Sequence, residues 1–437
     1  MIAGQTTWGC ITMKRREFLA AMGAGAAAGC IRQSAYRTRG TRPNILFAIA
    51  DDQAWPHTGA MGDPVVQTPT FDRLAREGGL FTHAFCSSPS CTPSRGAVLT
   101  GQDFWRLEQG ASLWSSLPAR FAVYPELLAG AGYHVGHTRK GWGPGRLEES
   151  GRRVNPAGQR YKNFAEFLAA KPGDAPFCFW FGSTDPHRPY AKGSGIESGK
   201  DPAAVQVPPF LPDAPGVRSD ILDYFVEVER YDREVGELIQ LLEERGELDN
   251  TLVVMTSDNG MPFPRAKANL YDYGVRMPLA IRWGAEMPGG RVVDDFVSFT
   301  DFAPTFLDVA GVKAPGDMTG RSLLNVLVSR REGLVDFRRD RAHFGRERHT
   351  NLREGGVSYP ARGIRSVDYL YIRNFEPDRW PAGDPPVYGD IDGSSPTKTY
   401  LVEHAEDDGV AELFRLATAK RPAEELYRVK DDPGQMR

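Results

Sequence analysis

Asn44-Ile45-Leu46-Phe47-Ala48-Ile49-Ala50-Asp51-Asp52 is the stretch that decides the fold. An unbroken apolar run that stops at two adjacent acids reads as a strand buried on both faces, with polar function at its carboxyl end. Two later stretches repeat the pattern. Phe177-Cys178-Phe179-Trp180-Phe181 leads to Asp185, His187 and Arg188, and Leu252-Val253-Val254-Met255 leads to Ser257-Asp258-Asn259-Gly260. Helices are expected between and around them. Thr68 caps a helix that runs from Pro69 to Glu77, with proline at the first helical position. Others cover Tyr124 to Ala131, Thr300 to Ala310 and, as a long amphipathic element, Ser219 to Glu247. In the last, Ile221, Leu222, Phe225, Val228, Val235, Leu238, Ile239 and Leu242 follow the helical period. Leu80 to Phe85 reads as a strand, Gly132 to Val135 as the start of another, and Ala97 to Leu99 as part of a helix. Strands alternating with helices give an α/β fold, with a mostly parallel sheet covered on both faces. In such sheets ligands bind at the carboxyl edge, where all three buried runs deliver acids, amides or histidine.

Beyond Gly345 the pattern changes to a hairpin over Gly363 to Arg373 with few long helices, which suggests a smaller antiparallel subdomain. The expected division is therefore 43–344 for a large catalytic domain and 345–437 for a C-terminal subdomain. Gly193 to Pro215 and Pro381 to Thr399, rich in proline and glycine, read as surface loops. The 437 residues are 41% hydrophobic and 25% charged with a net charge of −3, so nucleic acid is not a default partner, whereas one basic cleft for an anion is compatible. No coiled-coil heptad or internal repeat stands out. Cys10 and Cys30 fall in a leader, Cys86 and Cys178 read as buried small hydrophobes, and no disulfide framework is implied. Lys14-Arg15-Arg16-Glu17-Phe18-Leu19 followed by the small apolar run Ala20 to Gly29 is a twin-arginine export pattern, with Met13 an alternative start. Residues 1–30 are thus expected to be an export signal and 31–42 a linker. Ala27-Ala28-Gly29-Cys30 loosely matches a lipoprotein cleavage site without its leucine. The expected location is the periplasm or, lipid-anchored, the cell envelope.

Ser90-Cys91-Thr92-Pro93-Ser94-Arg95 stands apart. A Cys-x-Pro-x-Arg match arises by chance in a chain of this composition at most roughly one time in twenty; the bland alternative is a buried cysteine beside a helix start. Taken singly, the other candidates are also ambiguous. Asp51-Asp52 fits a strand-end turn as well as a ligand pair, Lys140 and Lys267 fit solvated surface charges, His187 fits a capped strand-end histidine, and Glu347-Arg348 fits a local ion pair.

Jointly, these stretches resemble the type I, formylglycine-dependent sulfatase family from about Pro43 to the C-terminus. Asp258-Asn259-Gly260-Met261-Pro262-Phe263-Pro264, Asp185-Pro186-His187-Arg188, Asn269-Leu270-Tyr271 and Gly345-Arg346-Glu347-Arg348-His349 with Tyr359-Pro360-Ala361-Arg362 are most similar to its heparan N-sulfatase (sulfamidase) branch. The resemblance implies an alkaline-phosphatase-like sandwich with a large mixed, mostly parallel sheet and a smaller C-terminal antiparallel subdomain. It implies that a formylglycine-generating enzyme converts Cys91 to the nucleophile. It also implies that Asp51, Asp52, Asp258, Asn259 and the modified Cys91 hold Ca2+, which takes about 6–8 oxygen ligands. Arg95, Lys140 and Lys267 would clamp the sulfate, each fixed donor being worth about 2.7–4 kcal/mol by analogy with oxyanion holes, and His187 would protonate the leaving group. Arg346 and His349 would touch the sugar of a sulfated saccharide carrying an N-sulfate or an O-sulfate. Two other readings share these residues: a phosphodiester or phosphonate monoester hydrolase on the same fold, and a sulfatase-like glycan-binding protein without catalysis. Two departures are visible. Trp142 stands in Arg139-Lys140-Gly141-Trp142 where most of the family has the histidine thought to drive sulfate release, which leaves His137 or a water for that role, or slows turnover. The family also usually continues well past Glu425-Leu426-Tyr427…Asp432-Pro433, so a shortened end of the subdomain is expected.

Overall fold

The opening apolar run forms β1 (Asn44–Ala50), buried along its whole length between two parallel strands, β5 (Phe177–Gly182) and β6 (Thr251–Ser257). The computed structural model describes residues 42–284 and 286–437; the expected export signal, Cys10, Cys30 and all of the linker but Arg42 lie outside the described residues. β3 (His134–Arg139) adds in parallel to β5, and β4 (Gln159–Arg160) to β3. On the other side β8 (Ala280–Arg282) runs antiparallel to β6, and β2 (Gly79–Phe85) antiparallel to β8 and β7 (Arg276–Met277). β9 (Arg291–Ser298) lies parallel to β2, completing a nine-stranded mixed sheet of order β4-β3-β5-β1-β6-β8-β2-β7, with β9 against β2.

The absence of alternation in β1 has a simple cause: both faces are covered. Leu46, Ala48 and Ala50 join Phe179, Phe181, Val253 and Met255 in a core with the helices Pro69–Glu77, Phe164–Ala169 and Pro215–Glu244. On the opposite face Phe47 packs edge-on to Trp180 (4.9 Å between ring centroids) and against Phe302 and Phe306 of the helix Phe302–Val309 (5.3 and 5.6 Å). The long helix starts four residues before the expected Ser219, because Pro215 lacks an N–H and suits a first turn. It ends at Glu244 rather than Glu247, where Gly246 turns left-handed (φ +67°) and Glu247 N–H donates back to Leu242 O (2.9 Å).

A second, antiparallel sheet has the order β10 (Arg341–Arg346), β11 (Ala361–Ser366), β12 (Tyr369–Asn374), β13 (Glu424–Arg428). The expected hairpin is β11–β12. β10 straddles the boundary expected at 344/345, and the described residues lie within one compact unit. The two stretches read as surface loops are different in kind. Val205, Phe210 and Leu211 in the first, and Asp390, Ile391 and Thr397 in the second, are buried. Proline and glycine there mark irregular backbone, not exposure.

Parallel pairing brings the carboxyl ends of β1, β3, β5 and β6 to one edge. Their spacing is enforced at Gly182, where a Cβ would lie 1.6 Å from Lys140 O, the carbonyl that also accepts from Trp180 Nε1 (3.1 Å). Gly182→Ala should therefore lower stability by about 3 kcal/mol, read as a drop in urea midpoint; an unchanged midpoint would show that the Lys140 backbone is free to move away.

Candidate active site

Asp51 and Asp52 follow β1, Asp52 in the left-handed region (φ +81°), which a short polar residue tolerates. The backbone N–H of Asp52 donates to Asp258 Oδ1 (3.1 Å), and that of Asp258 donates to Ala50 O (3.2 Å), so the ends of β1 and β6 hold each other. Cys91 opens the fully buried helix Cys91–Thr100, whose Ser94 Oγ donates to Asp258 O (2.5 Å). Its Sγ comes 3.3 Å from Asp51 Oδ1. Ligand-type atoms of Asp51, Asp52, Cys91 and Asp258 all lie within 4.8 Å of one another, shielded from water.

Three cations face these three carboxylates. Arg95 Nε donates to Asp258 Oδ2 (2.7 Å), and its Nη1 donates to the carbonyls of Lys140 and Gly141 (2.9 and 3.1 Å). Lys140 Nζ donates to Asp51 Oδ2 (2.6 Å), and Lys267 Nζ to Asp52 Oδ2 (2.6 Å). Burial pushes the Asp51 carboxyl up, but Lys140, His187, Arg95 and Lys267 together hold it well below the usual carboxylate range. For Asp52 burial wins: with Asp51 and Asp258 adding to it, the acid is raised despite Lys267 and His187. Burial, then Asp258, lifts the Cys91 thiol far above its ordinary value. This cysteine is a protonated thiol at neutral pH and a poor nucleophile as it stands.

The donor set fits a hard divalent cation. Asn259 Nδ2 donates to Asp52 Oδ1 (2.6 Å) and Gly260 O (3.1 Å), whereas Asn259 Oδ1 is buried with no partner among the described residues. An orphaned buried acceptor costs about 1–3 kcal/mol. Beside three carboxylates it completes an all-oxygen set of the kind Ca2+ uses.

His187 stands at the rim of the cluster, with Nε2 3.8 Å from Asp52 Oδ2. Its Nδ1 is 2.6 Å from Arg188 O; a carbonyl only accepts, so Nδ1 carries the hydrogen and Nε2 is the atom free to gain and give a proton. Asp51, Cys91, Lys140, His187, Lys267 and His349 share one open cleft of about 1400 Å³. His349 Nδ1 is 2.9 Å from Ser90 Oγ, and it titrates at about 4: burial lowers it against the pull of Asp390, with Lys267 and Arg346 adding to the fall. It presents a neutral imidazole to the cleft at pH 7.

Arg346, expected at the sugar, is instead turned into the protein. Its guanidinium donates to Ala268 O and Asp390, lies over the Tyr359 ring, and is absent from the lining of the large cleft. Asp390 also takes Arg353 and the backbone N–H (3.0 Å) and hydroxyl (2.7 Å) of Thr350. This knot anchors Asp392, two residues on, which lines the cleft 3.7 Å from Lys267 Nζ. Sequence reasoning passed over both acids because they sit in a stretch that reads as loop; the Asp-Ile-Asp alternation was the available signal. Trp142 is buried in the cleft wall, its backbone N–H and carbonyl paired to the Asn155 amide (3.0 Å each). His137 lines the same cleft with Nδ1 3.0 Å from Gly158 O, and burial holds it below the ordinary imidazole value.

The sulfatase family model matches residues 43–145 and 158–312, more than half of the chain. The chain belongs to the sulfatase family. The model for the C-terminal part of N-sulphoglucosamine sulphohydrolase matches residues 265–380 of this sulfatase, which is most like that branch. Human N-sulphoglucosamine sulphohydrolase is 31% identical to it over 389 residues, covering 76% of this chain and 73% of the human one. An ulvan-active sulfatase of Formosa agariphila is 25% identical, covering 91% and 71%. A solved structure in complex with its substrate D-glucosamine-2-N,6-O-disulfate shares the fold, with a TM-score of 0.67 over 91% of this chain and 93% of the other at 20% identity. The expected architecture, a large mostly parallel sheet with helices and a small antiparallel sheet, is that of the family.

Arg346→Met should destabilise this sulfatase by on the order of 3 kcal/mol, because it leaves Asp390 short of a buried partner. Chemical denaturation reads the loss; a stable protein that fails only in sugar binding would return Arg346 to the substrate.

Proposed function

We propose that this sulfatase is a calcium-dependent sulfohydrolase that removes sulfate from a sulfated saccharide, as an N-sulfate or an O-sulfate, with formylglycine made from Cys91 as nucleophile. The reading rests on one observation: Cys91 lies among Asp51, Asp52 and Asp258 at the floor of a cleft into which Lys140, Lys267 and His187 also face. Human N-sulphoglucosamine sulphohydrolase and the other sulfatases similar to this chain support the class of substrate.

Asp51, Asp52, Asp258 and Asn259 would hold calcium, which supplies positive charge toward sulfate oxygens, while formylglycine at position 91 supplies a hydrated-aldehyde hydroxyl to attack sulfur. The chain's own residues do the rest. The three carboxylates are balanced by Arg95, Lys140 and Lys267, so a dication added there leaves the pocket positive, the condition for holding an anion. Lys140 and Lys267 bind and orient the sulfate. Arg95, wholly buried, positions Asp258, which stands within the same 4.8 Å cluster as position 91 and takes the proton of the attacking group. His187 Nε2 gives a proton to the departing oxygen or nitrogen. Trp142 offers no base, which leaves the role to His137 in the cleft lining or to a water, or slows turnover.

Peptide mass spectrometry of protein made alongside a formylglycine-generating enzyme should show position 91 converted. Cys91→Ala should cut turnover about 10³-fold or more. It should leave the calcium-induced rise in melting temperature in place, since the carboxylates remain. Retained turnover would sink the mechanism. Side-by-side rates on an aryl sulfate, N-sulfoglucosamine and an aryl phosphodiester decide the substrate. Dominant phosphodiester cleavage would replace the sulfohydrolase reading, and unconverted cysteine with intact saccharide binding would point to a glycan-binding protein. The twin-arginine pattern supports export to the periplasm or, lipid-anchored, to the cell envelope; finding the protein in the cytoplasmic fraction of its host would refute that reading.

A further inference from the structure

Trp114 lines the cleft and keeps 38% of its surface exposed, although its ring offers one of the largest apolar areas available for burial. Its backbone is left-handed (φ +57°), a conformation that costs a bulky residue energy and persists only where the surroundings impose it. The imposing contacts are on either side. Leu113 N–H donates to Arg348 O (3.1 Å), and Ser115 O accepts from Arg146 N–H (2.8 Å).

Arg146 opens the stretch 146–157, which falls between the two parts matched by the sulfatase family model. The stretch is strapped along residues 115–121. Ala119 N–H donates to Ser150 O (2.8 Å), and Arg152 reaches the carbonyls of Pro118 and Phe121 and the carboxylate of Glu126. Its arginines differ in use. Arg146 pairs with Glu149 (2.8 Å) and Arg152 with Glu126, but Arg153, exposed and lining the cleft, has neither a hydrogen bond nor an ion pair among the described residues. Val154 beside it is 55% exposed, and it also lines the cleft. One rim of the cleft thus combines a held-out indole, a branched aliphatic and an unpaired guanidinium.

We infer that this rim is a second saccharide subsite: Trp114 and Val154 take the C–H face of the sugar next to the one being desulfated, and Arg153 takes an anionic group on that sugar, a carboxylate or a second sulfate. The substrate is then an oligosaccharide of a polyanionic chain, not a free monosaccharide. A planar guanidinium offers paired N–H groups to either oxyanion. This deepens the sulfohydrolase reading and rests on it for the identity of the first sugar.

The test separates the two. Calorimetric binding of a uronate-bearing heparan sulfate tetrasaccharide to the calcium-loaded, full-length Cys91→Ala protein should weaken about three- to tenfold on adding either Trp114→Ala or Arg153→Gln. In the active protein the same two changes should alter kcat/KM on N-sulfoglucosamine by less than about twofold. Trp114→Phe should restore most of the tetrasaccharide affinity. Arg153→Gln alone should flatten its salt dependence, because only that change removes a charge. A carboxyl-reduced tetrasaccharide and one lacking the neighbouring sulfate tell which anion Arg153 takes. Undiminished tetrasaccharide binding in both variants, or equal losses on tetrasaccharide and monosaccharide, would overturn the subsite. A wild-type protein that binds the tetrasaccharide through Trp114 and Arg153 but desulfates nothing would overturn the sulfohydrolase reading and leave the subsite standing.

Discussion

The ion pair between Arg95 and Asp258 is the contact on which the site depends. Both side chains are wholly out of water, 2.7 Å apart, and each is tied to a different part of the fold. Asp258 ends β6 and receives the N–H of Asp52 at the end of β1, while Arg95 extends from the Cys91 helix to the carbonyls behind β3. One pair therefore fixes the Cys91 helix against three strand ends. Breaking such a pair leaves a buried charge uncompensated and costs about 3–5 kcal/mol, so the carboxylates cannot drift apart without loss of the fold around them.

That constraint explains the density of charge. Three carboxylates side by side repel, and the same burial that hides them from water strengthens the repulsion. Arg95, Lys140 and Lys267 offset it, one to each acid, and the opposite directions in which Asp51 and Asp52 are shifted show how unevenly the compensation falls. Lys267 is shared with Asp392, so the C-terminal subdomain takes part in the same balance. The subdomain's acid is held there by the Asp390 knot with Arg346 and Arg353. Packing energy from the small sheet thereby becomes positional precision at the cleft.

The cleft is lined from separate parts of the chain. His349 and Asp392 come from its C-terminal part, and Trp142 precedes the strapped 146–157 stretch, which lies between the two parts matched by the family model. Trp142 is buried in the cleft lining with its backbone locked by the Asn155 amide, so its indole is a fixed part of that wall.

The sequence by itself determined the large sheet and the heart of the site. Buried parallel strands must be apolar throughout, and their polar carboxyl ends follow immediately in the chain, so Asp51-Asp52, His187 and Asp258-Asn259 were legible as local endings of β1, β5 and β6. Cys91 and Arg95 were legible through their Cys-x-Pro-x-Arg pattern, four residues apart on one helix. The limits of the long helix shifted by a few residues because a proline start and a glycine stop outweighed periodicity at its ends. Only the tertiary structure decided what Arg346, Asp390, Asp392, Trp114 and Arg153 do. Each is placed by partners far away in the chain or, like Arg153, marked by having none among the described residues, and long-range pairing of that kind leaves no local period to read. Arg346 shows the physical reason plainly: a guanidinium goes to the nearest buried carboxylate, and the folding of residues 381–399 brought Asp390 there.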